Sequence, residues 1–113
     1  MTFAQVRKHA LSLRGTTEEP HFERTSFRVG GKIFVTAKLQ ETHIHVFVPE
    51  EVREPALTLH SGYVSKLLWG GKVVGLRIDL PNAQPDAVND LVSAAWQSRV
   101  KQPRAKARAT RRQ

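Results

Sequence analysis

Apolar residues recur at helical spacing near both ends of the chain and alternate with polar ones between. Phe3, Val6, Ala10 and Leu13 mark one face of a helix over residues 2–13. Thr2 and Gln5 have the spacing of a capping box, in which each side chain satisfies an otherwise orphaned backbone N–H. Near the other end, Val88, Leu91, Val92, Ala95 and Trp96 form the stripe of a helix over 85–100, entered through Pro81, Asn82 and Pro85. Between them the period falls to two. Residues 25–29 and 32–38 read as strands, His43-Ile44-His45-Val46-Phe47-Val48 as a third, and Val73 to Leu80 as another. Residues 16–24 are polar and read as a loop or short edge strand. Pro49-Glu50-Glu51 opens a helix, because proline suits the first turn and acids suit the positive end of the dipole. Pro55 predicts a kink there, or two short pieces ending near His60-Ser61-Gly62.

Gly30-Gly31 separates two β-prone runs, and a primed two-residue turn needs positive φ at both central positions. A two-residue loop pairs Val29 with Lys32, Arg28 with Ile33 and Phe27 with Phe34. Phe27, Val29 and Phe34 then share one face, with Arg28 on the other. Trp69-Gly70-Gly71-Lys72 repeats the pattern. Strands joined by tight hairpins are antiparallel. The fold class is therefore α+β: an antiparallel sheet with the N- and C-terminal helices packed on one face.

Length and charge refine this picture. The 113 residues, 40% hydrophobic, suffice for one core, taken as residues 1–100. Residues 101–113 hold six of the 18 basic residues and no acid. The other twelve face all ten acids, which leaves +2 of the net +8 for the body. The segment 101–113 has no apolar period and is expected to be a disordered basic tail. No apolar run reaches membrane-spanning length, so no membrane insertion is expected, and no secretory signal is recognisable. With no cysteine, disulfides and thiolate sites are excluded, and a cytoplasmic location fits.

Several ordered motifs resemble the MmcQ/YjbR family over roughly residues 3–97. They are Ala10-Leu11-Ser12-Leu13, the stretch Gly15 to Phe22 with Glu18-Glu19-Pro20-His21-Phe22, and Ser26-Phe27-Arg28-Val29-Gly30-Gly31-Lys32-Ile33-Phe34. Pro49-Glu50-Glu51, Trp69-Gly70 and the ending in Ala95-Trp96 complete the set. The resemblance implies a CyaY-like arrangement with two protruding hairpins, a double wing, and through it DNA binding. Arg14, where proline is common, Pro55, and Val74, where many relatives carry a second aromatic, depart from the pattern. The basic tail lies outside it.

Candidate chemistry is sparse. Neither Gly-Gly-Lys has the spacing of a phosphate-binding loop, and no dinucleotide fingerprint exists. His43 and His45 share a strand face, but a catalytic zinc needs a third protein ligand and sequence supplies none beside them. Glu50, Glu51 and Glu54 are explained by the helix dipole. No activated-nucleophile motif is present, so the chain reads as non-enzymatic, without metal or cofactor. What remains is cationic: Arg28, Lys32, Lys72 and Arg77 on or beside the hairpins, and Lys101, Arg104, Lys106, Arg108, Arg111 and Arg112 in the tail. Turn-tip lysines are also common solvated residues. Trp96 suits core packing, whereas Trp69, beside a turn, suits either packing or base stacking. The expectation is a monomeric, weakly sequence-selective DNA-binding protein. The alternative is a protein- or small-ligand-binding module with an incidental tail.

Overall fold

The computed structural model describes residues 1–38, 40 and 42–101. The elements in chain order are α1 (Phe3–Ser12), β1 (Thr16–His21), β2 (Arg24–Val29), β3 (Lys32–Ala37), β4 (His43–Val46), α2 (Glu50–Leu59), β5 (Val64–Trp69), β6 (Lys72–Asp79), a single 3-10 turn and α3 (Pro85–Lys101). The six strands form one antiparallel sheet in the order β1-β2-β3-β4-β6-β5.

Pairing aligns side chains in rows across the sheet. Phe27, Val35, Val46 and Leu76 form one row, and Ala37, Ile44, Ile78 and Val64 another. All eight are buried, in one cluster with Val6 and Ala10 of α1, Ala56 of α2, and Val88, Leu91, Val92 and Ala95 of α3. The three helices therefore cover the same face. The intervening row, Ser26, Thr36, His45, Arg77 and Ser65, necessarily points the other way. No helix among the described residues covers that second face.

The local signals account for the elements. Thr2 Oγ1 accepts from Gln5 N–H at 3.2 Å, and Gln5 Oε1 accepts from Thr2 N–H at 2.9 Å, completing the capping box of α1. The polar stretch after α1 is an edge strand whose Glu18, Glu19 and Pro20 discourage pairing with another chain. Pro55 does not split α2, which is continuous through it. The bond it removes would have gone to the Glu51 carbonyl, and both residues are exposed, so the freed carbonyl is open to solvent. Pro49 is the N-cap rather than the first helical residue.

The Gly30-Gly31 hairpin departs from the expected register by one bulge. Val29 pairs with Lys32 and Arg28 with Ile33, but Phe27 pairs with Val35, leaving Phe34 as the extra residue. The bulge sets Phe34 and Val35 together opposite Phe27, and all three are fully buried. The β5–β6 hairpin repeats this geometry. Trp69 pairs with Lys72, Leu68 with Val73 and Leu67 with Gly75, so Val74 is the extra residue. Gly75 lies where β6 passes β4: a Cβ there would collide with the Val46 carbonyl oxygen and come within 3.2 Å of Phe47 Cα.

One ion pair ties α1 to the edge strand. Arg7 Nε donates to Glu18 Oε1 at 2.9 Å and Arg7 Nη2 to Oε2 at 3.0 Å, while Thr25 Oγ1 donates to Oε2 at 2.7 Å. The hydrogen bonds from Arg7 hold the Glu18 carboxyl below its ordinary value of 4.5, against a smaller opposing effect of burial. A carboxylate with a lowered folded-state pKa stabilises the fold above its unfolded value, and that contribution fades as pH falls through the folded value.

Two outcomes are expected. Gly75→Ala should cost about 2–4 kcal/mol in urea-induced unfolding, because only backbone movement relieves the clash. Glu18→Gln should cost about 0.5–1 kcal/mol at neutral pH, as befits a partly exposed pair, and the loss should shrink steadily as pH falls from neutral through the carboxylate range. Urea titrations of both proteins across that range check the second.

Candidate nucleic-acid interface

Strand directions decide where the hairpin tips lie. β2 and β5 both run parallel to β4, because β3 and β6 are antiparallel to their neighbours on either side. Both Gly-Gly turns therefore lie at the same end of the sheet. They are three strand intervals apart, about 14 Å. α3 ends there too: Arg99 Nε, two residues from its C-terminus, donates to the Ile33 carbonyl at 2.8 Å. The end of α1 joins this corner through Trp96 Nε1, which donates to Arg14 O at 2.9 Å.

The turns themselves are of the expected kind. Gly30 and Gly31 have φ of 59° and 78°, and Gly70 and Gly71 have 59° and 82°, matching a primed turn at both tips. Lys32 and Lys72 follow directly and make no ion pair among the described residues. Glu50 and Glu51 open α2 at this end as well, so it carries acids beside the basic residues Lys32, Lys72, Arg99 and Lys101.

The uncovered face of the sheet is concave, with a cavity of about 920 Å³ running along β2 and across to Trp69. Among the described residues, five lysines or arginines line it against a single acid, Glu23, which is ion-paired with Lys38 at 3.4 Å. Arg28 is half-buried and anchored: Nε donates to Ser26 Oγ at 3.0 Å, Nη2 to Pro20 O at 3.3 Å, and Glu19 Oε1 stands 4.0 Å away. Burial lowers the Arg99 pKa from its ordinary value, yet a guanidinium remains charged. Phe47, at the end of β4, is buried on this side beneath Trp69, their ring centroids 5.4 Å apart. Trp69 itself is 55% exposed.

The cations expected from sequence thus fall into separate groups. Arg28 and Lys32 line the concavity. Lys72 is at the second tip, outside it. Arg77 is exposed on the open face, opposite His45, with Nη2 3.2 Å from His43 Nδ1. Lys101 is the last residue of α3 rather than the first of a tail. Arg104, Lys106, Arg108, Arg111 and Arg112, with the expectation of disorder, lie outside the described residues. His43 and His45 stand side by side, ring centroids 5.4 Å apart. No third His, Asp or Glu among the described residues completes a metal-binding group. No helix among them is long and apolar enough to cross a membrane.

Sequence reasoning missed Arg99 and Phe22. Arg99 reads as an ordinary dipole complement in the last helical turn. Phe22 reads as a loop residue; it is 94% exposed at the β1–β2 turn with φ of 58°, a conformation that non-glycine residues seldom adopt.

A family model described as YjbR matches residues 11–98. The crystal structure of Deinococcus radiodurans protein DR2400, which carries a DUF419 domain of the YjbR/MmcQ type, superposes with a TM-score of 0.79. The two chains are 15% identical, and the match covers 96% of this chain and 86% of the other. That likeness shows a shared fold. No curated protein matches the chain.

The turn geometry carries its own expectation. Gly71→Ala should cost about 1 kcal/mol, because alanine is strained at φ of 82°. Gly70→Asn should be nearly neutral, since asparagine suits the first position of a type I′ turn. Thermal unfolding of the two variants distinguishes them.

Proposed function

Because the chain belongs to the YjbR family, we propose that it is a non-enzymatic DNA-binding protein whose hairpins act as a pair of wings. The observation that carries this reading is the convergence at one end of the sheet. Both lysine-bearing turns lie there, with the end of α3 from which the chain continues into its basic segment. Their separation of about 14 Å is comparable to the ~12 Å width of the B-DNA major groove, so the two lysines suit phosphates on either side of it. Such contacts position a duplex without reading sequence, and weak selectivity follows. The tail adds long-range attraction and counterion release.

A second reading, a protein- or small-ligand-binding module, is favoured by one observation: the concavity on the open face has the size of a ligand site. A protein truncated after Lys101 that shifts no DNA at low salt, yet retains a partner in a pull-down, would support it.

The salt dependence of duplex binding tests the proposal. Truncation after Lys101 should reduce the slope of log affinity against log salt by up to about 4, and Lys32→Ala or Lys72→Ala by about 1 each. Fluorescence anisotropy of a labelled duplex measures all three. Slopes unchanged by every variant would sink the reading.

A further inference from the structure

We propose that the open face of the sheet is a platform for a single-stranded stretch of nucleic acid, with a base stacked on Trp69 and phosphates held by Arg28, Lys32 and Arg99. This rests on the nucleic-acid reading above and names the form of ligand that the face takes. Three observations carry it.

The first is chemical complementarity. The face combines basic side chains with accessible aromatic rings, the pair of features that single strands require: cations follow the phosphates, and π-faces receive unpaired bases. Glu23 is the only acid lining the concavity among the described residues, and it is paired with Lys38.

The second is preorganisation. Trp69 is half-exposed, yet its ring is held by a tilted contact with buried Phe47. Arg28 is fixed by Ser26 Oγ and Pro20 O, and Arg99 by Ile33 O. Groups held in this way lose little side-chain entropy when a ligand arrives. Phe22, the residue in the left-handed conformation, places a second exposed ring at the far end of the same concavity. Backbone strain of this kind concentrates at ligand sites.

The third is spacing. Trp69 on β5 lies three strand intervals from β3, about 14 Å, which a mononucleotide does not bridge and a short strand does. A duplex cannot use Trp69 in this way, because its bases are already stacked on one another. The face and the tips, which share Lys32, would then serve different forms of nucleic acid, or a junction between them.

The test uses the full-length protein with labelled thymidine and uridine oligomers of about 10 nucleotides, within the range that single-strand folds occupy, and a duplex of equal length. At low salt one of the oligomers should bind more tightly than the duplex. Trp69→Ala should weaken oligomer binding about tenfold while changing duplex binding less than about twofold, and Trp69→Phe should retain most of the affinity. Phe22→Ala, at an exposed site that leaves the core intact, should weaken the oligomer alone. Equal losses for oligomer and duplex, no loss for either, or a duplex preference overturns the platform. Duplex binding that survives such a result leaves the wing reading standing; absence of binding to every probe removes both.

Discussion

The structure depends on the pleat of its sheet. Alternate residues of a strand point to opposite faces, and antiparallel pairing carries that alternation across neighbouring strands. Here it places Phe27, Val35, Val46 and Leu76 in one row and Ser26, Thr36, His45 and Arg77 in the next. A slip of one residue would exchange the two sets. The apolar rows require a cover, and α1, α2 and α3 supply it from one side. The polar row does not, and no helix among the described residues covers the second face.

Two details adjust that plan near the hairpin tips. Each hairpin has a Gly-Gly turn and a bulge three residues beyond it, at Phe34 and at Val74. Bulges increase local twist and bend a strand. In the first hairpin the extra residue supplies a core phenylalanine; in the second it precedes Gly75, whose missing Cβ admits the Val46 carbonyl. The tips are thus extensions of a tightly packed centre. The carbonyl of Ile33, beside the first bulge, is where α3 is anchored through Arg99.

Much of this was legible in the sequence, for identifiable reasons. The capping box and apolar stripes marked α1 and α3, and each Gly-Gly marked a turn, because these signals are local. The bulge at Phe34 was not legible, since a register shift depends on what two strands and the core together accommodate. β5 was missed as a strand: at the sheet edge its burial does not alternate, with Val64 and Leu67 buried and Ser65, Lys66, Leu68 and Trp69 exposed. Pro55 suggested a break because sequence does not reveal that its face of α2 is solvated. Of the residues that line the concavity, Arg28 and Lys32 stood out in the sequence as charges beside a turn. Arg99 and Phe22 come to the same concavity only through tertiary packing and topology.

Nucleic acid bound as proposed engages the tip end and open face of the sheet and leaves the helical layer free. An NMR titration of the full-length protein with duplex and single-stranded DNA reads this residue by residue. Amide shifts should cluster at Gly30 to Lys32, Trp69 to Lys72 and Arg99 to Lys101, with Trp69 and Phe22 responding further to the single strand. Shifts confined to the exposed surface of the helices, around Lys8 or Thr58, or no shifts from either ligand, would contradict it.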